Sequence, residues 1–144
     1  MQRETRDSNL ADFEEIEHTA DRALRVRGRD WRELLVNAAR GMSALLVSDL
    51  AAIPTDEERR FELDAFDAES LLVEWLSELA YWAESEMLVF CEFDLSQVTP
   101  VHLQAIARGG RVPGLQKIIK AVTYHNLKIA ETDHGLEATV VFDV

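Results

Sequence analysis

Two amphipathic helices, each announced by an aspartate, divide a chain whose remaining apolar residues mostly recur at every second position. Asp30 is followed three residues later by Glu33, the spacing of a capping box. Behind it Trp31, Leu34, Leu35, Ala38, Met42, Leu45 and Leu46 return at helical spacing and make one apolar stripe, with Asn37 and Arg40 facing away. Asp67 caps the second helix, where Leu72, Trp75, Leu76, Leu79 and Ala83 form the stripe and Glu74, Glu78 and Glu84 lie off it. A helix with a single apolar stripe must bury it against another layer. The chain therefore has to supply sheet for both helices to pack on.

The alternating segments supply it. Phe13 to His18 and the stretch after Asp21, where Leu24 and Val26 alternate with Arg25 and Arg27, read as two strands. Their connection is the polar stretch Glu17-His18-Thr19-Ala20-Asp21, and Gly28 ends the second strand. Phe61, Leu63 and Ala65 alternate with Glu62 and Asp64, a strand with one wet face. Met87 to Leu95 is apolar on both faces and reads as interior to the sheet, and Val101 to Ala107 follows as the next strand. Gly109 to Gly114 is rich in turn formers and reads as a loop. Lys117 to Ala130 alternates throughout and is the longest strand candidate, with His125 on the face of Ile119, Leu127 and Ile129 as a core histidine. Asp133-His134-Gly135 is a hairpin turn with Gly135 suited to a positive φ, and the last strand runs to Val144. The order is β-β-α-β-α-β-β-β-β. It predicts an α+β domain of two layers, both helices on one face of a mixed or mostly antiparallel sheet. Residues 1–12 read as a disordered tail and 13–144 as a single domain.

Charge narrows the function. At 144 residues the chain can bury a core without disulfides. Its formal net charge of -12 repels phosphate backbones at long range, so unaided tight binding to nucleic acid is not expected. A basic protein partner or a cation is easier to motivate. Cys91 is the only cysteine, which excludes an intrachain disulfide and favours a reducing compartment. It sits in the run Leu88-Val89-Phe90-Cys91 and reads as a buried small hydrophobe. The first residues lack the apolar core of a secretory signal, and no apolar run approaches the roughly 20 residues that span a bilayer. A cytoplasmic protein with no membrane partner is expected.

Few motifs carry chemistry. Neither a GxGxxG nor a Walker-type phosphate loop occurs, zinc spacing is absent, and there is no GxSxG nucleophile elbow. No pair of carboxylates stands out as acid and base, so an enzyme has weak support. Between Leu95 and Ala130 there is no Asp or Glu, yet Arg108, Arg111, Lys117, Lys120 and Lys128 fall there. Solvated strand edges account for this segment, and so does an anion or partner contact centred on Lys120.

Several pieces become recognisable together: His18-Thr19-Ala20-Asp21 before a strand, a helix with Gly41-Met42 near its end, the string from Glu69 to Leu79, Lys120-Ala121-Val122-Thr123-Tyr124-His125, and the terminal Phe142-Asp143-Val144. In this order and spacing they resemble the archease family, from about Phe13 to Val144. Where the family usually carries a Gly-Glu pair before the long strand, this chain has Gly110-Arg111. The resemblance implies a non-enzymatic protein cofactor that activates an RtcB-type RNA ligase in tRNA splicing and RNA repair. Such a cofactor promotes the ligase–GMP intermediate and repeated turnover, with GTP entering through the ligase. An alternative role is as a chaperone-like modulator of a tRNA cytosine methyltransferase. The resemblance further implies a divalent cation held by Asp21 and Asp143, with an oxygen of Val144, and a functional Lys120. Hard oxygen donors suit calcium, magnesium or manganese. His18 could support that site from behind, and Tyr124 could orient Lys120. On the residues alone, Asp21 as a turn cap and Asp143 as a solvated end residue suffice. A small metal-dependent phosphoesterase is a third class, and the lack of further convergent acids near Asp21 counts against it.

Overall fold

The computed structural model describes residues 12–17 and 21–144, with the side chains of Glu17 and Asp21 outside that description. In chain order the elements are β1 (Phe13–Glu17), β2 (Asp21–Gly28), α1 (Trp31–Leu46), a 3-10 turn (Leu50–Ala52), β3 (Glu57–Asp64), α2 (Ala68–Glu86), β4 (Leu88–Thr99), β5 (His102–Arg111), β6 (Ala121–Thr123), β7 (Ala130–Thr132) and β8 (Gly135–Asp143).

Both helices start where their aspartates place them. The Asp30 carboxylate accepts from the Glu33 N–H at 2.9 Å and that of Asp67 from the Ser70 N–H at 2.8 Å. Glu33 reaches back to the backbone N–H of Arg29 at 2.8 Å and pairs with its guanidinium at 2.9 Å. Those hydrogen bonds from Arg29 hold the Glu33 carboxyl below the usual carboxylate range. Helix α2 ends at Met87, whose φ of 55° is left-handed and whose N–H closes onto the carbonyl of Ala83 at 3.0 Å.

The α+β architecture is the one observed, and every strand pairing is antiparallel. The strands divide between two sheets: five strands in the order β1-β2-β8-β6 with β7 also on β8, and three in the order β3-β5-β4. Helix α1 packs on β2 of the first sheet and β4 of the second, and α2 packs on α1, β4 and β6. One apolar cluster therefore joins both sheets and both helices. At its centre Trp75 meets Phe61 edge-on at 5.5 Å, while its indole N–H donates to the carbonyl of Leu35 at 3.0 Å. Trp82 lies at the rim, with the Arg59 guanidinium 4.7 Å over its ring.

Several expectations fail for identifiable reasons. Asn37 does not face solvent: it is buried, and its amide donates to the carbonyl of Arg27 at 2.8 Å, tying α1 to the end of β2. Strand β4 is at an edge of its sheet rather than its interior. Its Leu88, Val89 and Phe90 are all buried because helices cover that end, and register breaks between Phe90 and Glu92 leave Cys91 half-buried. Burial, then the neighbouring Glu92, pushes the Cys91 thiol above its usual range. Gly109, Gly110 and Arg111 are strand, not loop. Gly109 crosses β4 so closely that a Cβ there would stand 2.0 Å from the carbonyl oxygen of Val89, so a loop-forming residue type serves a packing role. Gly135 does take the expected positive φ, 132°.

The long strand from Lys117 to Ala130 is broken. Thr123 faces Val141 and Ala130 faces Glu137, so residues 124–129 span only 138–140 of β8. The excess residues bow out as an irregular bulge, with Asn126 left-handed at φ 52°. His125 is consequently exposed on a turn and is not a core histidine.

Two measurements test these contacts. Asn37→Leu removes the partner of a carbonyl at a packed helix–strand junction and should cost about 1–3 kcal/mol in urea denaturation. Hydrogen bonds from Ser70 hold the Asp67 carboxyl below its ordinary range. Its contribution is complete above the unfolded aspartate pKa and is lost as pH falls through the lower folded value. Asp67→Ala should therefore lower Tm at pH 7, and the gap to wild type should close in scans at progressively lower acid pH.

Candidate functional site

Strand β8 carries its neighbours' ends to one place. Along one edge it pairs with β2 in the register that sets Asp21 opposite Asp143. Along the other it pairs with β6, setting Ala121 opposite the same Asp143. The Asp143 carbonyl accepts from the Lys120 N–H at 2.8 Å. Two residues from opposite ends of the sequence and the start of β6 thus meet at one end of the five-stranded sheet. Phe142, fully buried, anchors that end in the core, while Asp143 is exposed and Val144 half-buried.

Of the residues singled out in the sequence, the register brings together Asp21, Asp143, Val144 and Lys120 along the backbone. His18 lies outside the described residues, as does the side chain of Asp21. Tyr124 begins the bulge just beyond β6 and is 56 % exposed, and its carbonyl accepts from the Leu127 N–H at 3.0 Å. No hydrogen bond joins it to Lys120 among the described residues. Among those same residues no cluster of three or more His, Cys, Asp or Glu is placed to hold a metal ion. The donors at hand are exposed carboxylate and main-chain oxygen, which match hard cations in kind. They fall short of the six to eight ligands of calcium, so water or a partner would have to complete the shell.

The segment without acids resolves into two kinds of base. Arg108 pairs with Glu58 at 3.1 Å, and Lys117 lies 3.8 Å from Glu15. Arg111 bonds both Glu57 and Glu86, the latter at 2.8 Å. Those pairings hold the Arg111 guanidinium above its usual range. Lys120 and Lys128 are exposed and have no carboxylate partner among the described residues. The departure from the Gly-Glu pattern at position 111 is thereby a structural one: the arginine ties β3 to the C-terminal end of α2, where a cation also suits the helix dipole.

Thr123 was not legible as a functional residue. Its hydroxyl donates to the Val141 carbonyl at 2.9 Å and accepts from the His125 N–H at 3.2 Å, closing the start of the bulge against β8. A threonine in an alternating strand gives no such signal.

A sequence model of the archease protein family matches residues 13–144. This chain belongs to the archease family. It is 35% identical over 140 residues to an archease of Methanopyrus kandleri, covering 92% of this chain and 99% of that one. With an archease of Methanosarcina barkeri it shares 36% over 140 residues, covering 92% and 95%. The solution structure of a Methanobacterium thermoautotrophicum protein superposes with a TM-score of 0.78 at 31% identity, covering 92% of this chain and 99% of that one. A Thermotoga maritima crystal structure, described as an archease and possible chaperone, gives 0.62 at 25% identity, covering 90% and 94%. No helix among the described residues of this archease is long and apolar enough to cross a membrane.

Arg111→Glu should set three carboxylates together with Glu57 and Glu86. The expected result is a lower Tm at low ionic strength that recovers toward wild type in 1 M salt, about three ångströms of Debye length.

Proposed function

We propose that this archease is a non-enzymatic cofactor of an RtcB-type RNA ligase, acting through a divalent-cation site at the meeting point of β2, β6 and β8. The register that pairs Asp21 with Asp143 carries the reading. Residues opposite one another on antiparallel strands have Cβ atoms about 4.5–5.5 Å apart, close enough for two carboxylates to share one ion. In this reading Asp21, Asp143 and an oxygen of Val144 hold calcium, magnesium or manganese. When bound, the cation neutralises phosphate charge during nucleotidyl transfer. Its incomplete shell leaves positions for oxygens of the ligase or of GTP.

The chain's own residues do the rest. The N–H of Lys120 on the Asp143 carbonyl fixes the end of β8, and the free ammonium of Lys120 is available to a phosphate or an acidic loop of the ligase. A chaperone-like role toward a tRNA cytosine methyltransferase is the second reading, favoured by the description of the Thermotoga relative as a possible chaperone.

Single-turnover guanylylation of the ligase with GTP separates them. Asp21→Ala, Asp143→Ala and Lys120→Ala should each reduce stimulation by at least tenfold while leaving the fold intact by circular dichroism. Wild-type stimulation by all three variants would overturn the cation mechanism. Suppression of methyltransferase aggregation without nucleotide, unchanged in the variants, would favour the second reading.

A further inference from the structure

Strand β1 carries an acid where its face calls for an apolar residue. Phe13 lies opposite Val26 and Glu15 opposite Leu24, and directly paired residues share a face. Val26 and Leu24 are both buried, and the Phe13 ring lies against α1 at Gly41. Glu15 therefore stands at the margin of the core face, two residues along from Phe13. Arg22 shares that face, opposite the fully buried Phe142. Charges at such positions are costly without partners. The two meet each other, with Oε2 of Glu15 3.0 Å from Nε of Arg22.

The same oxygen has a second cation. Nζ of Lys117 is 3.8 Å from it, and the Lys117 and Arg22 side chains are only 24 % and 27 % exposed. Lys117 belongs to the connection from β5 to β6, which has no strand of its own between Val112 and Lys120. Strands β1 and β6 are at opposite ends of the order β1-β2-β8-β6, so the connection crosses the end of the sheet. It leaves α1 at Gln116, whose N–H donates to the Leu46 carbonyl at 2.9 Å, and touches β1 through Lys117. It then buries Ile119 and reaches β8, where the Lys120 N–H meets the Asp143 carbonyl at 2.8 Å. One carboxylate is thus shared by the strand that begins at Asp21 and by the segment that delivers Lys120.

We propose that Glu15 is a positioning residue of the candidate site, holding Arg22 beside Asp21 and Lys117 three residues before Lys120, so that both arms meet β8 in one arrangement. The ladder of β2 on β8 already fixes the first arm. The second depends on fewer contacts: main-chain hydrogen bonds hold it at Gln116 and at Lys120, and Lys117 provides the ionic anchor between them. A lone exposed ion pair contributes little, but a carboxylate shared by two partly covered cations forms a network. Its loss frees the crossing segment locally and leaves the apolar core beneath it in place. The inference rests on the reading of the β2–β6–β8 end as the functional site and names a residue that sets that site without belonging to it.

Amide hydrogen exchange in the whole protein reads this directly, because the Lys120 N–H on the Asp143 carbonyl is released when the segment opens. In Glu15→Gln that amide should exchange about threefold faster, the scale of a lost half-exposed ion pair. The Ala65 amide, bonded to the Val101 carbonyl beside the other sheet at 2.8 Å, opens without disturbing Glu15 and should keep its wild-type rate. Lys117→Met, which lies outside the strand ladders, should accelerate Lys120 in the same way, and Lys117→Arg, which keeps the charge, should exchange like wild type. Adding Lys117→Met to Glu15→Gln should change the Lys120 rate no further. Stimulation of ligase guanylylation should fall in Glu15→Gln. An unchanged Lys120 rate in both single variants, or equal acceleration at Ala65, overturns the assignment. So does full stimulation by Glu15→Gln where Asp143→Ala stimulates poorly. Full stimulation by Asp143→Ala as well removes the cation mechanism instead, and the exchange result, which needs neither ligase nor cation, then decides the role of Glu15 by itself.

Discussion

Strand β8 is paired along both edges, and the geometry of the whole candidate site follows from that. Antiparallel register is discrete: a slip by one residue would turn every side chain of β8 to the other face and expose Ala138, Val140 and Phe142. Because those three are buried against helix α1 and its neighbours, the register is locked by the core. The placement of Asp143 opposite Asp21 is then a consequence of apolar packing at Ala138, Val140 and the adjacent Phe142. The site inherits its precision from hydrophobic burial rather than from any interaction among polar groups.

The same dependence explains why the connection from β5 to β6 is held so firmly. Between Val112 and Lys120 the chain has no strand of its own. Gln116 fastens it to the end of α1: its N–H donates to the Leu46 carbonyl at 2.9 Å and its side-chain amide to that of Leu45 at 3.2 Å. Those are carbonyls that a helix C-terminus leaves without intrahelical partners. Ile119 is buried one residue before Lys120, whose N–H then reaches Asp143. A residue on an irregular connection is thus positioned nearly as well as one on a strand.

Legibility in the sequence tracked how local the controlling interaction was. Asp30 and Asp67 act within one turn of helix, and both were readable. Gly135 answers to a turn of a few residues and was readable too. Asn37 was not, because its partner is a carbonyl ten residues away across a helix–strand junction. The bulge after Thr123 was hidden for a different reason: alternation continues through His125 and Leu127, and only the partner strand shows that residues 124–129 have too few residues to face. Gly109 and Gly110 read as a loop because glycine serves both turns and close strand crossings. The pairing of Asp21 with Asp143 came from family resemblance, since no periodicity links positions so far apart along the chain.

Charge distribution then limits how the proposed cofactor could meet a ligase. A protein of net charge -12 gains nothing by presenting bare carboxylates to a phosphate-bearing centre. In the proposed arrangement the end of the sheet that approaches nucleotide carries Lys120 and a bound cation, which reverse the local sign.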